Sequence, residues 1–263
     1  MSTATYAVSD TATMLRRNLK NQLRYPTSVI AIVGIPVLFL LLFVYVFGGA
    51  LGTAVTTIAS GGDNYVDYIL PGLIIMTAAT GSLGAAASTS VDLTEGIIAR
   101  FRTMAIFRPS ILIARVISCE IQTLASMALV FGVALLMGFS PTAGFGGWIA
   151  AIGLLALVSF ALTWLGMAFG LAAKTLDAAS NAPFPLIMLP FVGSGIVPTD
   201  SMPTGVRQFA EYQPFTPIIE TLRGLLMGTP IGNSGILALA WSAAIALIGF
   251  IWAMKAFARD RTR

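Results

Sequence analysis

Long apolar runs separated by short polar breaks dominate this chain, and their lengths predict its elements. Asp10 to Tyr25 reads as a helix with Leu15, Leu19 and Leu23 four apart on one face. Arg16, Arg17, Lys20 and Arg24 flank that face, and Pro26 ends it. Val29 to Phe47 is almost wholly Val, Ile, Leu and Phe, and about 20 such residues cross a bilayer as a helix. Pro36 lies inside it and predicts a kink. Gly48 to Asp67 is Gly/Thr/Ser-rich, with Asp63 and Asp67 and no basic residue.

Ile69 to Val91 is a second run, with Pro71 in its first turn, where a missing N–H does no harm. Ala78, Ser82, Ala86 and Ser90 recur every four residues in it. Such a small-residue stripe fits close helix contact or, alternatively, contact with a transported molecule. Asp92 to Pro109 is a charged island holding Asp92, Glu95, Arg100, Arg102 and Arg108. Ile111 to Phe139 is the third run, with Arg115 able to snorkel near its start and Glu120 deeper. A carboxylate within a span is costly and marks a candidate functional group, unless it pairs with an arginine or faces water.

Trp148 to Ala173 is the fourth run, after an uncharged turn. Lys174 to Asn181 is a polar loop. Ala182 to Val197, the fifth, is short and broken by Pro183, Pro185, Pro190, Gly193 and Gly195. Interrupted spans of this kind line pathways in some transporters and are kinked packing helices in others. Residues 198–235 form the longest loop, within which Pro217 to Met227 predicts a short amphipathic helix at the outer interface. Ile236 to Met254 is the sixth run.

The pattern predicts an all-α integral membrane domain occupying residues 1–263. Its interface helix covers 10–25, and its six spans cover about 29–47, 69–91, 111–139, 148–173, 182–197 and 236–254. Charge fixes the orientation. Arg16, Arg17, Lys20, Arg24, Arg100, Arg102, Arg108, Arg115, Lys174, Lys255, Arg259, Arg261 and Arg263 all fall on one side of a six-span chain. Only Arg207 and Arg223 fall on the other. The positive-inside rule then places both termini and the island (92–109) in the cytoplasm and the 198–235 loop outside. One helix more or fewer would scatter the basic residues over both faces.

Composition agrees: 57% of residues are hydrophobic and 10% charged, against about 25% charged in soluble domains. The net charge of +4 is placed for anionic lipid headgroups, not nucleic acid. The N-terminal segment lacks the small-residue cleavage site of a secretory signal. With no histidine, Ser-His triads and histidine zinc sites are excluded, and the lone Cys119 makes no intrachain disulfide. No G-x-x-x-x-G-K-[ST] stretch cradles ATP phosphates. Energy for any transport must therefore arrive from another chain, and the island is the natural port.

Three stretches carry a resemblance. YVDYILPGL (Tyr65 to Leu73), EGIIARFRTMAIFRPSILIAR (Glu95 to Arg115), and FVGSGIVPTDSMP followed by QPFTPIIETLRGLLMG (Gln213 to Gly228) are similar to the type-2 permeases of ABC exporters. Among these they resemble the daunorubicin-resistance type of bacterial drug efflux permease. Met104-Ala105 stand where that family commonly has a proline, and its F-[LV]-S-G is varied to Phe191-Val192-Gly193-Ser194-Gly195.

The resemblance implies a multi-pass permease of the bacterial inner membrane, paired with a second copy of itself or with a close relative. Two separate ATPase subunits would bind ATP and Mg, and this chain would carry no cofactor. Asp92, Glu95, Arg100, Arg102 and Arg108 become the residues that couple to the ATPase. Thr77, Ser82, Phe191 and Ser194 become candidates for the cargo cavity, and Pro217, Glu220, Arg223 and Gly224 form an outer motif that closes the exit. Glu220 and Arg223, three apart, are expected to pair. The cargo implied is a hydrophobic or amphipathic drug-type molecule. A lipid-linked glycan exporter is the alternative within the family; a membrane-embedded lipid enzyme working through Glu120, or a scaffold, is the alternative outside it.

Overall fold

The computed structural model describes residues 3–24, 27–48, 65–94 and 109–259. Those residues are helical or in short connections. We number the helices α1 (Thr3–Arg24), α2 (Thr27–Leu41), α3 (Tyr65–Thr94), α4 (Pro109–Leu136) and α5 (Phe145–Ala172). They continue as α6 (Leu176–Asn181), α7 (Phe184–Val192), α8 (Thr204–Tyr212), α9 (Phe215–Met227) and α10 (Ser234–Arg259). Four of them, α3, α4, α5 and α10, are long and apolar enough to cross a membrane unaided.

α3 is the central post. Every residue from Tyr65 to Ser82 is buried, and α2, α4, α5, α6, α7 and α9 all pack against it. α10 lies outside, mainly against α5 and α9. Close packing around α3 follows from its small residues. Ala78, Ser82, Ala86 and Ser90 are all buried, and Gly166 and Gly170 of α5 stand against Ser82 and Ala86. A Cβ on either glycine would overlap the carbonyl opposite. The fourfold repeat on α3 thus meets a fourfold repeat on α5, backbone to backbone, the arrangement that small residues permit in apolar bundles.

α3 starts four residues before the predicted second span, so Pro71 lies in its second turn, not its first. Inside a helix proline removes one hydrogen bond, here the one to the Asp67 carbonyl. Beside it, Gly72 is pressed against Gly195, and a Cβ there would sit 2.7 Å from the Gly195 Cα.

The first apolar run is helical through Pro36, then relaxes into a π turn at Leu42–Val46. The fifth is not one helix. Thr175 caps α6, its Oγ1 accepting from the Ala178 N–H at 3.2 Å, so part of the predicted polar loop is helical. Ala182 and Pro183 form a turn, and α7 then runs for nine residues, about 13 Å at 1.5 Å per residue. α5 ends beside Ala86 and Thr89, while Ser194 lies beside Tyr68 at the opposite end of α3. The segment between therefore travels the length of the bundle in two short pieces.

The predicted amphipathic helix in the long loop exists but begins earlier, at Phe215. It is not laid on a surface. Phe215, Ile218, Ile219, Leu222 and Leu226 are buried against α3, α5, α7 and α10. Gly228 ends it in the left-handed conformation (φ +66°), which glycine adopts at little cost.

Candidate functional site

Polar groups in this apolar bundle collect at three levels, and α3 connects them. At the Thr94 end, Asp92 of α3 forms an ion pair with Arg115 of α4. Both side chains are only 16% exposed, so the pair is screened far less than a surface one. It joins the two helices that flank residues 95–108. Of the sequence-predicted coupling residues Asp92 sits here, while Glu95, Arg100, Arg102 and Arg108 lie outside the described residues. α1 packs on α4, and its Arg16, Arg17, Lys20 and Arg24 line an open cleft of about 430 Å³ at this end.

At mid-height, the Glu120 Oε1 accepts a hydrogen bond from Ser159 Oγ of α5. Glu120 is the twelfth residue of the 28 in α4, and Ser159 the fifteenth of the 28 in α5. The two helices are antiparallel, so both groups stand near the middle of the bundle. The second oxygen, Oε2, is enclosed and has no partner, and neither has Thr163 Oγ1 one turn further along α5. Thr77 and Ser82 are also at this level. Their hydroxyls donate to helix carbonyls, Thr77 to Leu73 at 2.8 Å and Ser82 to Ala79 at 2.6 Å. Both lie within the packing around α3.

At the Tyr65 end, the stretches YVDYILPGL, FVGSGIVP and QPFTPIIETLRG converge. The Tyr68 hydroxyl donates to the Ser194 carbonyl (3.1 Å) and Tyr65 to the Ile196 carbonyl (3.4 Å). Arg223 of α9 reaches between them. Its Nη2 donates to the carbonyls of Ser194 (2.7 Å) and Tyr68 (3.1 Å), and its Nε also to Tyr68 (3.3 Å). Gln213 fills the space left by Gly193 and donates to the Leu189 carbonyl at 3.1 Å. The buried Asp67 carboxylate accepts from the Ser140 N–H at 3.2 Å, fastening the α4–α5 connection to the same end. That connection is also tied to α9, through Thr142 Oγ1 to the Met227 carbonyl (2.6 Å).

Glu220 does not pair with Arg223 as their spacing suggested. It accepts from Ser234 Oγ of α10 at 3.0 Å. Buried carbonyls at the end of α7 claim the guanidinium instead, because unpaired they would be costly. Pro217 and Gly224 are both buried in α9, and Gly224 has Ile231 close against it. Phe191 is half-buried and meets Phe39 edge to face, with centroids 5.1 Å apart. The exposed Arg207 pairs with Asp200 (2.7 Å) and Glu211 (2.6 Å), and the hydrogen-bonded Glu211 pushes its guanidinium up from an already high value.

Three further residues of this arrangement are marked in the sequence by type and spacing. Tyr68 and Tyr65 are hydroxyl-bearing aromatics three apart, which places both on one helix face. Ser159 is one of only two hydroxyl residues between Trp148 and Ala173, the other being Thr163.

Comparison with known proteins sets this architecture in context. The family described as ABC-2 type transporter matches residues 9–227. The daunorubicin resistance ABC transporter permease protein DrrB1 of Streptomyces coeruleorubidus is 27% identical over 225 residues, which is 85% of this chain and 77% of that protein. The probable doxorubicin resistance ABC transporter permease protein DrrC of Mycobacterium tuberculosis is 25% identical over 241 residues, covering 92% and 85% respectively.

Proposed function

Because the chain belongs to the ABC-2 type transporter family, we propose that it is the membrane-spanning permease subunit of an ATP-driven exporter. It is a multi-pass protein of the bacterial plasma membrane. α2 and the α6–α7 pair complete six passages with the four long helices. The Thr94 end, with most of the basic residues, faces the cytoplasm, and the Tyr65 end faces outward. Two such permeases form a homodimer over two ATPase subunits that bind ATP and Mg. The cargo is a hydrophobic or amphipathic small molecule of the kind named for the relatives.

The observation that carries this reading is the Asp92–Arg115 pair beside residues 95–108. A partner pressing on those residues pushes α3 and α4 as one body. α3 runs unbroken from that point to Tyr68, where Arg223 and the end of α7 are held. A push at the cytoplasmic face is thereby delivered to the outer closure, as rigid elements with a shared end allow. Glu95, Arg100, Arg102 and Arg108 supply the charge-assisted contacts to the ATPase. In the dimer, Phe191 and Ser194 stand closest to the path of the cargo, with Thr77 and Ser82 behind them.

The test is a pull-down from native membranes followed by ATPase assay and by ATP-dependent daunorubicin uptake into inside-out vesicles. The expected result is co-purification of an ATPase subunit, with activity uncoupled or lost in Glu95→Ala plus Arg100→Ala. Absence of any ATPase from both detergent and nanodisc preparations overturns the reading.

A further inference from the structure

Glu220 and Arg223 stand three apart on α9, where opposite charges ordinarily meet, yet each is held elsewhere. Ser234 Oγ of α10 donates to the Glu220 Oε2 at 3.0 Å. The Ser194 and Tyr68 carbonyls hold Arg223 through its Nη2 and Nε. These bonds use half of each group: the Glu220 Oε1 and the Arg223 Nη1 take no part in them. The two charges are close enough to act on one another, but they do not neutralise each other by contact.

Both side chains line one open cleft of about 630 Å³, walled also by Tyr68, Thr199, Asp200 and residues 229–234. Asp200 is 69% exposed and pairs with Arg207, so solvent and that partner screen it. The charges left to the cleft are therefore one carboxylate and one guanidinium. Each is anchored from behind, and neither must break a bond to the other before a ligand enters, which lowers the cost of binding. A guanidinium suits a phosphate, and a carboxylate oxygen suits the N–H groups of an ammonium. The volume lies within the range of small-molecule sites, about 300–1,000 Å³.

The cleft also has a level. α10 opens at Ser234, and its first large apolar side chains, Ile236 and Leu237, are 73% and 50% exposed. On a helix that crosses a bilayer, this is where acyl chains give way to headgroups. We propose that the cleft binds a zwitterion with a primary ammonium and a phosphate a few atoms apart, the phosphoethanolamine group, presented as a phospholipid headgroup. The phosphate meets Arg223 and the ammonium meets Glu220. A trimethylammonium headgroup has no N–H to offer Glu220, and a purely anionic one sets a second negative charge against it. The inference is separate from the exporter reading, since the binding requires neither ATPase nor cargo.

The test uses the full permease in phosphatidylcholine nanodiscs without ATP. Calorimetric titration compares free O-phosphoethanolamine with ethanolamine, inorganic phosphate and phosphocholine. The expected result is saturable binding of O-phosphoethanolamine, about tenfold or more tighter than each of the others, the scale of one charge-assisted hydrogen bond. Glu220→Gln, which keeps an acceptor for Ser234, should remove that advantage over inorganic phosphate. Asn233→Trp, a bulky group at the exposed rim, should weaken O-phosphoethanolamine at least tenfold, with an unchanged melting temperature showing that the fold is intact. Nanodiscs containing phosphatidylethanolamine identify the source. Loss of apparent affinity for the free headgroup, with that lipid retained over phosphatidylcholine in native mass spectrometry, supports the lipid. Unchanged affinity with no lipid retained overturns the lipid source and assigns the cleft to a soluble zwitterion. Ethanolamine or phosphate binding as tightly as O-phosphoethanolamine overturns the proposal, as does indifference of the folded Glu220→Gln protein. Absence of saturable binding together with no lipid preference overturns it too. Intact binding in a permease that moves no cargo with ATP counts against the exporter reading alone.

Discussion

The guanidinium carbon of Arg223 rests 3.8 Å from the centre of the Tyr68 ring while its nitrogens donate to the Tyr68 carbonyl. One residue of α9 therefore holds one residue of α3 by its face and by its backbone together. Arg223→Ala should cost roughly 3 kcal/mol or more, because it strands buried carbonyls as well as removing a cation–π contact. Tyr68→Phe, which loses only the hydroxyl bond to Ser194, should cost about 1 kcal/mol. Thermal unfolding in detergent of both single variants and the double variant measures this. The double variant should fall short of the sum, since the two share a partner.

The α3–α5 seam predicts a sharp positional contrast. Gly166→Val and Gly170→Val should lower folded yield and melting temperature severely, because a Cβ at either collides with backbone that cannot move aside; overpacking alone costs about 1–3 kcal/mol. Gly153→Val on the same helix, with open space around it, should be close to neutral. Monodispersity by fluorescence-detected gel filtration separates the three.

For the Asp92–Arg115 pair, Asp92→Asn and Arg115→Gln should each cost about 1–2 kcal/mol, between the values of exposed and buried pairs. The exchange of the two residues should recover part of it. On the exporter reading each single variant also lowers the yield of transport per ATP hydrolysed, and the exchanged pair restores it. Parallel measurement of hydrolysis and uptake decides.

Arg207, by contrast, is exposed, although it touches two carboxylates. Arg207→Gln should leave the melting temperature within experimental scatter at physiological salt.

The four long helices were legible because length and apolarity alone identify them. The α3 stripe was legible too, since four-residue spacing of Ala and Ser has few other uses. The break in the fifth passage was legible in its prolines and glycines, but the place where its helix stops was not. What stops its helix at Val192 is Gly193, into whose empty side-chain space Gln213 and Thr216 fit from twenty residues further on. α9 misled for the same kind of reason. Its Glu220 and Arg223 look like a solvent face until Ser234 and the Ser194 carbonyl, both remote in sequence, are seen to meet them. Glu120 stood out by type, but its position near mid-bundle and its bond to Ser159 required the register of two helices.

The burial of α3 from Tyr65 to Ser82 also bears on how such a permease can vary under selection. A helix with a neighbour on every side has almost no position where a side chain can change without displacing another. Variants with an altered range of tolerated compounds should therefore arise chiefly at the exposed and half-exposed positions of α4, α5 and α10, and a selection experiment should recover α3 mostly as loss of expression.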